Sequence, residues 1–426
     1  MMRLLLCAAH LLTVANTFGE TSSADDHHAL QLPSTSKPYT RWWWFASEID
    51  SAECRDQLDW LASQGFGGVE IAFIYPPGRD PKASRLPFLG PDWSAVVAET
   101  KRYADSIGLG CDFTFGTLWP FGGSFVPDAD RTRIYGDPDW RQNWRLSWEH
   151  GTPGNVLNHL DSGALERYAS RVGGALEPAL KGSTSALFCD SWEVESRRIW
   201  TEGFGDRFED RFGYRIEPFM DTLYESDTAG PRYDYMTLVS DTVLDEFFRP
   251  FTRICHELNA VSRVQCAGAP ADILAAYAAI DIPESEAMLY EPGFARIPAS
   301  AAAIASRPLV SAESFTCLYG FPGEHIRQEN VFDLKRVADA LFANGVNHIV
   351  WHGMPFNSAK GDENAFYATV HVGREGSLSS QLRPFNAYME KISAQMRRGK
   401  TYTDVAVYLP LEDAWIEGEY PDRKST

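Results

Sequence analysis

From Pro38 onward the apolar positions follow two rhythms that take turns: a short β-rich run, then a stretch with apolar residues three and four apart, then a glycine. The first run, Trp42 to Phe45, precedes a helix that opens at Asp50 with Glu53 three residues on. At that spacing a cap side chain and the third helical residue can each satisfy a backbone donor. Leu58 and Leu61 give the helix an inward face, and Gly65 stops it. Strand two is Gly68 to Phe73. The next helix begins near Pro91, carries Trp93, Val96, Val97, Tyr103 and Ile107, ends at Gly108 and leads into strand three, Cys111 to Phe115.

The cycle goes on to the far end of the chain. Strand four, Ala186 to Cys189, follows a helix bearing Leu165, Tyr168, Val172 and Leu176. Strand five, Arg263 to Cys266, follows a long helix with Leu244, Phe247, Phe251, Ile254 and Leu258 on one face. Strand six falls within Ala279 to Leu289, and strand seven is Leu309 to Ala312. Strand eight, His348 to Trp351, comes after a helix with Leu334, Val337 and Leu341 that stops at Asn344-Gly345. Eight β/α units predict an α/β fold, a closed (β/α)8 TIM-type barrel over residues 38–400. An open doubly wound sheet would show a glycine-rich phosphate turn after its first strand, and Trp44-Phe45-Ala46-Ser47 has none.

The flanks read differently. Met1-Met2-Arg3, the apolar stretch Leu4 to Val14 and the small or polar Ala15-Asn16-Thr17 have the order of a secretory signal, with 1–19 removed and a secreted or periplasmic protein as the expectation. No later apolar run is long enough to span a bilayer, so membrane insertion is not expected. Residues 20–37, rich in Ser, Asp and His, read as a disordered leader. Asp404 to Pro410 reads as the opening strand of an incomplete C-terminal domain over 401–426, too short to hold a core of its own.

Composition narrows the partners. Hydrophobic residues at 44% and charged residues at 23% suit a buried core. A net charge of -19 without a local basic cluster repels phosphate backbones and argues against nucleic acid. The chain carries 13 Trp, many beside Gly, Pro or Asp, where indole faces suit sugar rings. No cysteine pair has CxxC spacing; Cys111, Cys189 and Cys266 fall in predicted strands and read as buried free thiols, with no disulfide framework.

Function in such a barrel gathers at the C-terminal ends of the strands, and carboxylates dominate those positions here. Strand four runs into Asp190-Ser191-Trp192-Glu193-Val194-Glu195, the strand-six region carries Glu284 and Glu286, and strand seven ends in Ser311-Ala312-Glu313. Hydrolysis of a sugar acetal needs one carboxylic acid for the leaving oxygen and one carboxylate to activate water or to attack. Glu193 and Glu313 supply that pair on separated strands. Trp43 and Trp44, Asp112, Trp119, Asp190, Glu284, Glu286 and His352 are the candidate substrate-binding residues around them. Because a strand alternates its faces, part of the run Trp42-Trp43-Trp44 belongs to the core. No HExxH, GxSxG or EF-hand pattern is present, and spacing identifies no metal ligand.

Arg41-Trp42-Trp43-Trp44, Gly67-Gly68-Val69-Glu70-Ile71, Gly116-Thr117-Leu118-Trp119-Pro120-Phe121-Gly122-Gly123, Asp190-Ser191-Trp192-Glu193, Ala267-Gly268-Ala269-Pro270-Ala271-Asp272, Asp281-Ile282-Pro283-Glu284, Ser311-Ala312-Glu313-Ser314-Phe315-Thr316 and His352-Gly353 together resemble the α-L-rhamnosidases of glycoside hydrolase family 106. The resemblance covers roughly residues 38–415. It implies an inverting, calcium-assisted enzyme acting on carbohydrates that contain L-rhamnose, with Glu193 as general acid, Glu313 as general base, and Glu284 or Glu286 binding sugar or metal. Only Phe125 to Asn158 fills the gap between strands three and four, where the family usually carries a larger insertion.

The residues by themselves leave other readings open. A glutamate pair on strands four and seven also serves retaining glycosidases, which need carboxyl groups about 5 Å apart against roughly 6.5–9.5 Å for inversion. A non-catalytic carbohydrate-binding barrel would keep the aromatic pocket without turnover.

Overall fold

Eight strands pair in parallel and in sequence order: Tyr39–Phe45 (β1), Gly68–Ile74 (β2), Gly110–Thr114 (β3), Ser185–Cys189 (β4), Ala260–Val264 (β5), Ile282–Glu286 (β6), Ser311–Ser314 (β7) and His348–Pro355 (β8). β1 pairs with both β2 and β8, so the sheet closes into the expected barrel. This computed structural model describes residues 30–45, 49–74, 86–116, 120–142, 154–287, 291–319, 328–356 and 370–418. The expected signal segment and most of the expected leader lie outside them.

Helices cover the barrel where the apolar rhythm places them. Ser51–Ser63 (α1) is capped by Asp50, whose side chain accepts from the Ala52 and Glu53 backbone amides. Pro91–Ser106 (α2) follows β2 and Ser162–Leu180 (α3) precedes β4. Phe204–Phe212 (α4) leads to Ala229–Val243 (α5) and Arg249–Glu257 (α6), which a π-helical turn, Leu244–Phe248, joins end to end. The long helix read before strand five is this composite, with Leu244, Phe247, Phe251 and Ile254 buried. Ile273–Ala278 (α7), Arg296–Ile304 (α8), Val331–Ala343 (α9) and Leu382–Met396 (α10) complete the ring. Among the described residues no helix is long and apolar enough to cross a membrane.

Several strand boundaries differ from the sequence reading: β1 starts earlier, at Tyr39, β8 runs on to Pro355, and two further shifts have a local reason. β5 starts earlier, at Ala260, because Asn259 ends the preceding helix in the left-handed region (φ 59°) and the polar Ser262 faces its own partners. β7 starts later, at Ser311, because the Val310 amide donates to the Asn347 side chain at 2.9 Å. The leader also needs correction at its end. The Arg397 guanidinium donates to the Thr35 carbonyl at 2.6 Å and to the Pro33 carbonyl at 3.3 Å, so 33–35 is fixed to the body. At the other end Asp404 to Pro410 is not a strand; Tyr402, Val405 and Val407 are exposed, and Leu411–Glu417 (α11) returns to bury Trp415, whose carbonyl accepts from Arg232.

Contacts between strands that are not neighbours identify the inside of the barrel. Arg263 on β5 donates to Glu70 on β2, and Arg41 on β1 donates to Glu313 on β7, so these side chains cross the interior. Tyr39 lies beneath them, its ring over Gly68 and Gly110. A Cβ at Gly110 would sit 1.9 Å from the Tyr39 hydroxyl, which is why β3 begins with glycine. Trp42 points the opposite way from Arg41: its indole N–H donates to Gln57 on α1 at 2.8 Å, and Trp44 packs edge-on against it at 5.3 Å. All six described cysteines are free thiols, and only Cys317 is not fully buried.

Candidate active site

The middle of the barrel holds charge where apolar layers are usual. Arg41 donates Nε to Glu70 at 3.0 Å and Nη1 to Glu313 at 2.9 Å. Arg263 donates to Glu284 at 2.9 Å and to the far oxygen of Glu70, while Asp112 stands 3.8 Å from it. The Phe188 ring lies between the two guanidiniums, 4.3 Å from Arg41 and 5.1 Å from Arg263. Arg41, Arg263, Glu70 and Glu284 are all within 2% of full burial at their side chains. Buried charges persist only when each is met by a partner, and here two cations and their carboxylates meet one another.

Above this layer sits Glu313. Its Oε2 accepts from Arg41 and from Gln265 Nε2, both at 2.9 Å, and its Oε1 accepts from the Thr316 hydroxyl at 2.6 Å. His352 Nε2 is 3.6 Å from Oε1. Burial alone would push this carboxyl up, but the Arg41 guanidinium, together with the Thr316 and Gln265 donors, outweighs it and holds the carboxyl well below the usual carboxylate range. Glu286, its register partner on β6, is driven well above the usual carboxylate range by burial and by the negative charges of Glu313 and Asp190.

His352 owes its place to a bulge. β1 and β8 lose register between Thr40 and Trp42, so that His352 and Gly353 together oppose Arg41. Gly353 has φ 143°, and a Cβ there would meet the Arg41 carbonyl at 2.3 Å. Trp43 donates its indole N–H to the His352 carbonyl at 2.8 Å, and the two rings are 5.1 Å apart. Burial lowers the imidazole pKa to about 4 against the pull of Glu313, so His352 is neutral at ordinary pH.

Glu193 lies on the irregular segment after β4, nine-tenths buried. Gln142 fixes that segment from both sides: its Nε2 donates to the Glu193 carbonyl at 2.6 Å and its Oε1 accepts from the Glu195 amide at 2.8 Å. Trp192, beside Glu193, is buried. Its ring packs against His159 at 4.5 Å as part of the outer core. Asp190 stays on the rim, 3.9 Å from Arg41.

Of the expected substrate-binding residues, Trp43, Asp190, Glu286 and His352 gather around Glu313. Three others are corrected. Trp44 belongs to the core with Trp42 and Phe356, on the outward face of β1. Glu284 is fully buried and held by Arg263, Ser311 and Gln265, so it supports the site from below. Asp112 accepts the Ala186 amide at 2.8 Å, stitching β3 to β4 in the lower layer, and burial raises its pKa to about 6. Trp119 lies outside the described residues. The hydroxyls near Glu313 in the sequence, Thr316 among them, are legible as donors to its charge, whereas sequence reasoning misses Arg41, Glu70, Arg263, Gln265 and Gln142 as site residues. A signal for two of them exists: Arg263 and Gln265, two apart on one strand, put polar groups on a single strand face.

Among the described residues no group of three or more His, Cys, Asp or Glu side chains is placed to hold a metal ion. Arg41, Arg263, Gln265 and hydroxyls take most of the acceptor positions of Glu70, Glu284 and Glu313, so these three do not form a calcium cage.

Comparison with known proteins extends this geometry. The sequence profile of glycoside hydrolase family 106, alpha-L-rhamnosidase, matches residues 154–423. A curated protein of Formosa agariphila named putative beta-glucuronidase is 26% identical over 279 residues, 61% of this chain and 23% of that protein. The structure of the rhamnosidase from Novosphingobium sp. PP1Y superposes with a TM-score of 0.69 at 14% identity, over 91% of this chain and 61% of that one. A beta-galactosidase from Bacillus circulans sp. alkalophilus superposes with a TM-score of 0.57 at 10% identity, over 91% and 61%. The chain therefore spans less than a quarter of the curated relative and about three fifths of the rhamnosidase. At these identities the structural likeness establishes a shared barrel fold.

Proposed function

The chain belongs to glycoside hydrolase family 106, the α-L-rhamnosidases, and from that premise we propose that it is an inverting α-L-rhamnosidase with Glu313 as general base and Glu193 as general acid. The observation that carries this reading is the state of Glu313: a carboxylate at a strand end, kept ionised by Arg41, Gln265 and Thr316. A base must stay charged to take a proton from water, and burial without those donors would neutralise it. The acid is assigned through the family resemblance of Asp190-Ser191-Trp192-Glu193, the segment that follows β4.

A neutral deoxy sugar suits the charge balance better than a uronic acid does. A glucuronide carboxylate calls for an available cation, and among the described residues the guanidiniums inside the barrel, Arg41 and Arg263, are already met by Glu70, Glu284 and Glu313. Export also belongs to the proposal, on the signal-like order of residues 1–19. Calcium enters through the family resemblance alone. The ion would orient neighbouring sugar hydroxyls, since hard cations accept oxygen ligands with loose geometry, and no step of the mechanism runs through it here.

The test is hydrolysis of an aryl α-L-rhamnoside by the full chain, beside an aryl β-D-glucuronide and an aryl β-D-galactoside. Release from the rhamnoside alone, lost in Glu313→Gln, supports the proposal. Preference for the glucuronide overturns the specificity, and binding without any release favours a carbohydrate-binding barrel.

A further inference from the structure

The backbone directly after Glu313 takes an unusual course. Phe315 has φ 71° and Cys317 has φ 47°, a left-handed conformation that residues other than glycine rarely adopt. Two such residues flanking Thr316 in one turn need compensation from their surroundings. Phe315 supplies it: its ring is fully buried, edge-on to Trp351 at 4.6 Å and near Phe385 at 6.2 Å. The anchored turn aims the Thr316 hydroxyl back three residues, onto Glu313 Oε1 at 2.6 Å.

The two oxygens of Glu313 are consequently unlike. Oε2 accepts two donors, Arg41 Nη1 and Gln265 Nε2, both at 2.9 Å, which fills its two lone-pair directions. Among the described residues Oε1 accepts only Thr316 within hydrogen-bond distance, His352 being 3.6 Å away. With donors on both oxygens, coming from β1, β5 and the turn after β7, the carboxylate plane cannot rotate freely.

We propose that Thr316, held by the Phe315–Cys317 turn, is a positioning residue for the base, fixing Glu313 so that the open lone pair of Oε1 receives the proton of the attacking water. This rests on the reading of Glu313 as base. In the step itself a water O–H bond breaks and its proton goes to Oε1. The water oxygen bonds to the anomeric carbon, and the glycosidic bond electrons leave with the aglycone oxygen, which takes the proton of Glu193. Glu313 ends neutral and Glu193 ionised, and proton exchange with solvent resets both.

The experiment compares Thr316→Val, which keeps the shape and removes the hydroxyl, with Thr316→Ser, which keeps the hydroxyl, on the full chain. Glu313→Gln serves as the reference. The substrate is an aryl α-L-rhamnoside with a good leaving group; kcat and KM are read separately, and a thermal melt accompanies each variant. A hydrogen bond to an ionised group is strong enough for its loss to cut kcat by about tenfold or more. The expected result is that loss in Thr316→Val with little change in KM, and recovery of most of kcat in Thr316→Ser; Thr316→Ala is read the same way if the valine variant does not fold. Near-wild-type kcat in Thr316→Val beside an inactive Glu313→Gln overturns the positioning role and leaves the base standing. Equal losses in the valine and serine variants overturn it as well. An active Glu313→Gln overturns the base and this proposal with it.

Discussion

Glu286 and Glu313 stand in register on neighbouring strands, and their surroundings push their pKa values in opposite directions. Two carboxylates this close do not readily ionise together. Arg41, Gln265 and Thr316 give the charge to Glu313, and Glu286 is left to hold a proton.

That division predicts the acid side of the pH profile. A depressed carboxyl is ionised above its own pKa and loses its charge only as pH falls through it, so activity that needs ionised Glu313 should persist below the ordinary carboxylate range. The acid limb of kcat/KM is expected below about pH 4. Gln265→Leu removes one donor from the charged form and should shift that limb upward. An acid limb near pH 6 that Gln265→Leu leaves in place would assign it to another group.

The roles of Glu193 and Glu313 separate by leaving group. An activated aryl aglycone departs without protonation, whereas a poor leaving group needs the acid. Glu193→Gln should therefore cripple substrates with poor leaving groups far more than activated ones. Glu313→Gln should cripple both alike, with azide restoring turnover from the water position. Equal losses for Glu193→Gln on both substrates would shift the acid to Glu195 or Glu286.

The buried charges predict a stability contrast between two arginines. Arg263→Met removes one of the two guanidiniums that meet Glu70 and Glu284 inside the barrel, leaving buried carboxylates with only Arg41, and should cost about 3–5 kcal/mol. Arg253→Met breaks ion pairs with Glu166 and Glu257 at a half-exposed side chain and should cost about 1 kcal/mol or less. Urea unfolding of both variants measures the difference, and similar midpoints would show that the inner network contributes little.

Calcium is tested by removal. Chelation with EDTA should lower turnover of an aryl α-L-rhamnoside and added calcium should restore it, if the ion holds sugar hydroxyls. Full turnover after exhaustive chelation takes calcium out of the proposal.

The barrel was legible because each of its eight strands is a short apolar run set apart by a helical rhythm and a stop such as Gly65, Gly108 or Asn344-Gly345. Its inside was not. Arg41 follows Thr40 just before the tryptophans and Arg263 follows Ser262, and nothing near them in the sequence says what their charges meet. The partners that make them comprehensible are distant: Glu70 is 29 residues from Arg41, Glu313 is 272 from it, and Glu70 is 193 from Arg263. The tryptophan run shows a similar limit. Alternation says that Trp43 and Trp44 part company, but only the bond from Trp42 to Gln57 tells which of the two faces the barrel interior. The Thr316 contact depends on positive φ at Phe315, a conformation that a phenylalanine gives no reason to expect.

The central claim is that Glu313 activates water for direct displacement at the anomeric carbon. Proton NMR of the sugar first released from an aryl α-L-rhamnoside tests it most directly, before mutarotation mixes the anomers. β-L-rhamnose is expected as the first product; α-L-rhamnose appearing first would mean a covalent intermediate and rule out direct displacement by water.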